Sequence, residues 1–188
     1  MIVPIPNELA TVLAILPELE QAYLVGGCVR DALLGVPVKD YDIEVFGVSC
    51  EQLAAALERH GRVDLVGHSF GVLKFTMHGG RTFDFSLPRH DSKIRSGHKG
   101  FRIVTNPAMT LADAAARRDF TINALMFDPR RNEVLDFFNG RRDLDERVLR
   151  HTSPAFAEDP LRVLRGMQLA ARFDLQPAPE TVDRKSVV

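Results

Sequence analysis

Gly26-Gly27 stands between a short apolar run, Tyr23-Leu24-Val25, and the helical spacing of residues 29–34, and this junction restricts the fold more than any other feature of the chain. Paired glycines after such a run mark a buried strand meeting a tight turn, because glycine tolerates backbone conformations closed to other residues. After Gly35 and the Pro37 turn, residues 41–46 alternate as a strand does, and 50–60 form an amphipathic helix closed by Gly61. Strands are expected at 62–66, 71–77 and 81–87, the last two joined by the turn His78-Gly79-Gly80-Arg81. Strand, helix and then meandering strands imply an α+β fold, a mixed sheet with helices on one side. Upstream, 6–16 reads as a packing helix capped by Asn7. Downstream, 88–100 reads as a mobile loop, 111–126 as a helix, 134–138 as a strand and 160–173 as a strongly periodic helix. Gln176-Pro177-Ala178-Pro179 reads as a linker before a helix that starts at Glu180.

With 188 residues and 45% hydrophobic content, the chain is long enough for one substantial core and is not of disordered composition. No apolar run approaches the roughly 20 residues of a membrane helix, and the first residues lack a signal peptide's basic start and apolar stretch. The expectation is a cytoplasmic protein with no membrane association. Cys28 and Cys50 form no Cys-x-x-Cys pair and are expected as buried small hydrophobes. The formal net charge of −1 hides an asymmetry: residues 1–88 carry 6 basic and 11 acidic side chains, whereas 89–172 carry 16 basic and 11 acidic. All sixteen basic residues but Lys93 and Lys99 are arginine, whose planar fork suits phosphates and base edges, although solvated helix faces would account for many of them.

In Lys39-Asp40-Tyr41-Asp42-Ile43 two carboxylates sit at i and i+2 at the start of a strand, so both leave the same face of the sheet. Exposed turn acids often look like this. The pair could also share a magnesium ion, which takes oxygen ligands from carboxylates and substrate phosphates. Asp84, between Phe83 and Phe85, points away from the apolar layer on a neighbouring strand, where a third carboxylate of such a centre would stand. The idea requires these groups to share one face of the sheet with no lysine plugging them. The glycine turn could bring backbone N–H groups against a phosphate, though it is neither a dinucleotide-binding fingerprint nor a P-loop.

Gly26-Gly27-Cys28-Val29-Arg30-Asp31 followed by Asp40-Tyr41-Asp42 resembles the signature of the poly(A) polymerase and tRNA nucleotidyltransferase head-domain family, which includes bacterial CCA-adding enzymes. Arg117-Arg118-Asp119-Phe120-Thr121-Ile122-Asn123-Ala124, Gly140-Arg141-Arg142-Asp143-Leu144 and Glu158-Asp159-Pro160-Leu161-Arg162-Val163-Leu164-Arg165 are similar to further motifs of the same family, in the same order. The resemblance implies a nucleotidyltransferase-type head over residues 1–147 and the beginning of a helical neck over 148–188. It implies Mg2+ on Asp40 and Asp42; Asp84 is added as a further catalytic carboxylate from its place on the neighbouring strand alone. Gly26, Gly27 and Arg30 would handle the triphosphate. Arg118, Asp119 and Asn123 would meet the phosphates and ribose, and the motif of Asp159, Arg162 and Arg165 would select the base. Residues 88–102 resemble the family's flexible loop. The implied partners are the tRNA 3′ end, ATP and CTP; the oligomeric state is left open.

Asp159 and Arg162, three apart on a helix, could address one planar partner together. Cytosine and adenine both present an amino donor beside a ring-nitrogen acceptor, which a carboxylate and a guanidinium complement, while guanine and uracil present the reverse. A plain helix cap at Asp159 before Pro160 is the bland alternative. The activity implied is metal-dependent, template-independent addition of C and A to tRNA. Its rivals are a poly(A) polymerase, a CC-only or A-only enzyme, a non-catalytic RNA-binding fragment, and a phosphohydrolase built on His90-Asp91. None of the other histidines is assigned a role.

Overall fold

The structure is a computed structural model that describes residues 2–66, 72–93 and 101–183. Helix α1 (Asn7–Ile15) and a single 3-10 turn (Pro17–Leu19) lead into β1 (Ala22–Val25), α2 (Gly27–Leu33), β2 (Asp42–Val45) and α3 (Cys50–Glu58). Strands β3 (Gly61–Val66), β4 (Val72–Met77) and β5 (Thr82–Ser86) follow, then β6 (Arg89–Lys93) and β7 (Phe101–Thr105). The chain continues through α4 (Leu111–Ala116), a 3-10 turn (Thr121–Asn123), β8 (Met126–Asp128), β9 (Glu133–Leu135), α5 (Gly140–Asp145) and β10 (Val148–Leu149). It ends in a 3-10 turn (Pro154–Glu158), α6 (Leu161–Phe173), β11 (Gln176–Pro177) and α7 (Pro179–Asp183). None of the described helices is long and apolar enough to cross a membrane.

Seven strands form one mixed sheet in the order β3-β4-β5-β2-β1-β8-β9, in which β2 and β5 run parallel and the other neighbours antiparallel. Alternation divides its two faces. Leu24, Ile43, Val45, Leu73, Phe75, Phe83, Phe85 and Phe127 pack on one face with residues from α1, α2 and α3, making the main core. The mixed sheet with helices is the expected α+β fold, with its main helical layer on this side, although the expectation that all helices lie on one side does not hold, because α4 packs on the other. The opposite face carries a smaller apolar patch, in which Val25, Phe46 and Met126 meet Ala114 and Ala115 of α4. A third cluster joins Phe120, Ile122, Leu144, Leu149 and Phe156 to Phe173 and Leu175, and so docks α6 onto the sheet-bearing part.

Several elements differ from expectation. The helix expected over 111–126 stops at Ala116, and residues 126–128 pair instead with β1, where Met126 and Phe127 are fully buried. A run of buried apolar residues has no periodicity that separates such a strand from a helix. Residues 89–93, expected in a loop, pair antiparallel with 101–105 as a ribbon apart from the main sheet; 94–100, the rest of that expected loop, lie outside the described residues. Gly61 opens β3 rather than closing α3, and a Cβ there would stand 2.4 Å from the Thr76 carbonyl oxygen. Asn7 does not cap α1, which is entered directly from Pro6. The strand expected over 134–138 ends at Leu135, because Asp136 turns to accept the N–H groups of Gly140 and Arg141 at 2.8 and 3.0 Å and so starts α5.

Candidate nucleotide-binding site

On the less apolar face, one transverse row of paired residues reads Asp64, Lys74, Asp84, Asp42, Val25, Met126, Leu135 across all seven strands. Asp42 and Asp84 are direct neighbours in the parallel pair, so they share a face, as the metal hypothesis requires. Lys74 is the next neighbour of Asp84 but makes no ion pair among the described residues. Asp40 lies two residues ahead of the strand and is exposed. Among the described residues, the carboxylates of Asp40, Asp42 and Asp84 have no hydrogen-bond or ion-pair partner. Loss of solvent raises the pKa of Asp42 first, the Asp84 and Asp40 charges raise it further, and Arg118 opposes the rise. Carboxylates that repel each other without a counter-ion make an oxygen donor set suited to a hard divalent cation. No group of three acidic, His or Cys side chains is already gathered to hold a metal among the described residues, so Asp84 does not close a three-ligand set with Asp40 and Asp42.

A cleft of about 430 Å³ begins at Asp42. It brings together Gly26, Gly27, Arg30, Asp42, Arg118, Asp119, Asn123, Asp159, Arg162 and Arg165, ten of the twelve residues expected from sequence, while Asp40 and Asp84 are not part of its lining. Arg89 and Arg117 also line it. Gly26 has φ +74°, a conformation that only glycine adopts without strain, and a Cβ there would stand 3.1 Å from Nη1 of Arg118. Cys28 is buried behind the turn; burial pushes its thiol up to about 11, and the protonated group donates to the Val25 carbonyl at 3.2 Å.

The arginines are held by buried acids. Arg30, 6% exposed, donates to Asp31 through Nε and Nη2 at 2.9 and 2.6 Å and to Oδ1 of Asn123 at 2.5 Å, with its guanidinium stacked 4.6 Å from the centre of the Phe173 ring. Asn123 passes the connection on through Nδ2 to Oδ1 of Asp119 at 3.0 Å, and the other Asp119 oxygen receives Nε of Arg165 at 2.8 Å. Three motifs far apart in sequence are thus tied into one wall. Arg30 and Asp119 hold this wall together as much as they face the cleft.

Glu44, fully buried on β2, accepts Nη2 of Arg117 at 2.7 Å on one oxygen and Nη2 of Arg118 at 3.0 Å on the other. Burial favours its neutral form, but the two guanidinium charges prevail and its pKa is lowered. Glu44 was not among the expected site residues, although alternation from Asp42 places it on the same face and a charge in a short buried strand was the available signal.

At the mouth of α6, Oδ1 of Asp159 accepts the Leu161 N–H at 3.0 Å, so the capping interaction is present. Arg162 donates through Nη2 to the Arg117 carbonyl at 2.9 Å. Its Nη1, like Nε of Arg118, is buried with no hydrogen-bond partner among the described residues. Buried N–H groups beside a cleft are a strong indication of a missing acceptor.

A carboxylate-edged mixed sheet facing an arginine wall defines a protein built to hold a polyanion beside acidic groups. The profile of the poly A polymerase head domain family matches residues 22–150, and the chain belongs to that family. It is 44% identical over 162 residues to the multifunctional CCA protein of Nitrosospira multiformis, an alignment that covers 86% of this chain and 37% of the relative. Its fold is similar to that of the Bacillus stearothermophilus CCA-adding enzyme in complex with CTP, with a TM-score of 0.75, 27% identity and coverage of 96% and 43%. It is also similar to the Thermotoga maritima CCA-adding enzyme complexed with tRNA, with a TM-score of 0.73, 27% identity and coverage of 96% and 42%. The chain therefore spans well under half the length of these relatives.

Proposed function

We propose that the chain is the nucleotide-transferring part of an enzyme that adds C and A nucleotides to the 3′ end of tRNA, using CTP and ATP. The observation that carries this reading is Asp42, with Asp84 beside it on the next strand and neither carboxylate partnered among the described residues, at one end of a cleft whose other walls present arginine N–H groups that have no acceptor among those residues. The residue 22–150 family match and the CCA-adding relatives support it. Residues 1–147 are assigned to the head and 148–188 to the start of a helical neck, with action in the cytoplasm, where tRNA is matured.

Asp40 and Asp42 would hold a divalent cation, magnesium by its preference for oxygen ligands, with Asp84 beside them; when bound, it supplies neutralisation of phosphate charge and a lower pKa for the attacking hydroxyl. The protein's own share is placement. The open turn at Gly26-Gly27 lets the triphosphate approach the backbone, and Arg118 supplies an N–H to its oxygens. Arg30, Asn123 and Asp119 keep that wall rigid at the ribose. Asp159 and Arg162 read the base: a carboxylate that receives the exocyclic amine and a guanidinium that donates to the ring nitrogen fit cytosine and adenine, and guanine and uracil would leave these groups facing like partners. The RNA 3′-oxygen attacks the α-phosphorus in line, and the bond to the departing pyrophosphate breaks, without a covalent enzyme intermediate.

The test supplies tRNAs ending at the discriminator base, after one C and after two C residues, with CTP, ATP and magnesium. Sequential growth to CCA is expected on all three. Long adenylate tails, extension of a single class, or no extension would replace this reading by a poly(A) polymerase, a partial adder or an RNA-binding module, respectively.

A further inference from the structure

Glu44 ties together two parts of the cleft. One oxygen holds Arg118, whose Nη1 stands over the Gly26 turn and whose Nε is left for an acceptor. The other holds Arg117, the residue whose main-chain carbonyl receives Arg162 from α6. The phosphate-facing guanidinium and the strand that carries Asp42 therefore meet at one fully buried carboxylate, to which the base-facing Arg162 is linked at one remove, through Arg117.

We propose that Glu44 is a positioning residue that sets the phosphate-binding arginine and the base-reading arginine in fixed register with the carboxylate strand, so that nucleotide affinity and base choice depend on it together. The inference rests on the nucleotidyl-transfer reading above. Consecutive arginines 117 and 118 carry like charges, and without an anion between them they repel each other and take up other rotamers. A carboxylate with both oxygens engaged leaves each guanidinium one orientation, and the fork of Arg118 then meets phosphate oxygens with no rearrangement. Glutamine at position 44 keeps the shape but offers one acceptor oxygen in place of two and no charge, so one of the two arginines loses its hydrogen bond to this position. The Arg117 backbone shifts with its side chain, and the Arg162 contact at its carbonyl shifts too.

The experiment compares wild type and Glu44→Gln in steady-state transfer of CTP and of UTP to tRNA, with ligand-free thermal melting to establish that the variant is folded. The expected result is a KM for CTP raised about tenfold, the order of one charge-assisted hydrogen bond, with a smaller fall in kcat and a reduced CTP-over-UTP preference in kcat/KM. A merely structural role would lower kcat through the active fraction and leave KM and the CTP-to-UTP ratio in place. That outcome, or equal losses for both nucleotides, overturns the proposal. Should the glutamine variant fail to fold, Glu44→Asp keeps the charge and withdraws its reach by one methylene; the same split is expected, and wild-type values overturn the proposal. Wild-type protein that transfers no nucleotide refutes the underlying reading instead, so the two failures are distinguishable.

Discussion

Asp42 and Glu44 stand two residues apart on the same face of one four-residue strand, and their surroundings are opposite. Glu44 is sealed in with both oxygens on arginines and an acidity strengthened by them. Asp42 opens on the cleft, has no partner for its carboxylate among the described residues and is pushed toward its neutral form by burial and by neighbouring acids. The contrast separates two uses of a carboxylate: a built-in counter-ion completes the protein's own structure, and an uncompensated one leaves room for a cation that arrives with substrate.

The largest expected effect is on the open side. Asp42→Asn should lower nucleotide transfer by roughly a thousandfold, measured as single-turnover extension of tRNA, with the fold intact by circular dichroism. On the sealed side a loss of stability should accompany the change in KM and base preference. Glu44→Ala leaves two partly buried guanidiniums without their anion and is expected to cost about 3 kcal/mol in denaturant unfolding. Asp159 stands at the start of α6, where Oδ1 accepts the Leu161 N–H. Asp159→Ala should reduce the preference for CTP and ATP over UTP and GTP by about tenfold and cost about 1 kcal/mol of cap stability. Unchanged preference would reduce Asp159 to a cap alone.

The smallest effect gives the sharpest contrast. Because the folded pKa of Asp42 is raised, its ionised form opposes folding above that pKa, so Asp42→Asn should raise Tm slightly at neutral pH, and the gain should vanish in acid, where the wild-type group is protonated. Glu44 has the opposite sign. Its lowered pKa contributes stability that is present above the ordinary carboxylate range and lost as pH falls through the folded value, so Glu44→Gln should lower Tm at neutral pH and matter least in acid.

The sheet was legible wherever alternation was clean. Phe83 and Phe85 around Asp84 announced both the strand and its polar face, and the glycine turn announced β1 and α2. The strand at residues 126–128 was hidden because both of its faces are covered, and β6 because its charged residues imitate a loop. Most of the candidate cleft was legible because its residues cluster in short motifs. Glu44 was not, since its meaning depends on Arg117 and Arg118, more than seventy positions away and brought to it only by the fold.

Whether the uncompensated carboxylates around Asp42 take up a divalent cation is answered by thermal unfolding with and without magnesium and CTP. Magnesium with CTP should raise the Tm of wild type and leave that of Asp42→Asn near its ligand-free value. Equal stabilisation of both proteins would mean that Asp42 holds no cation.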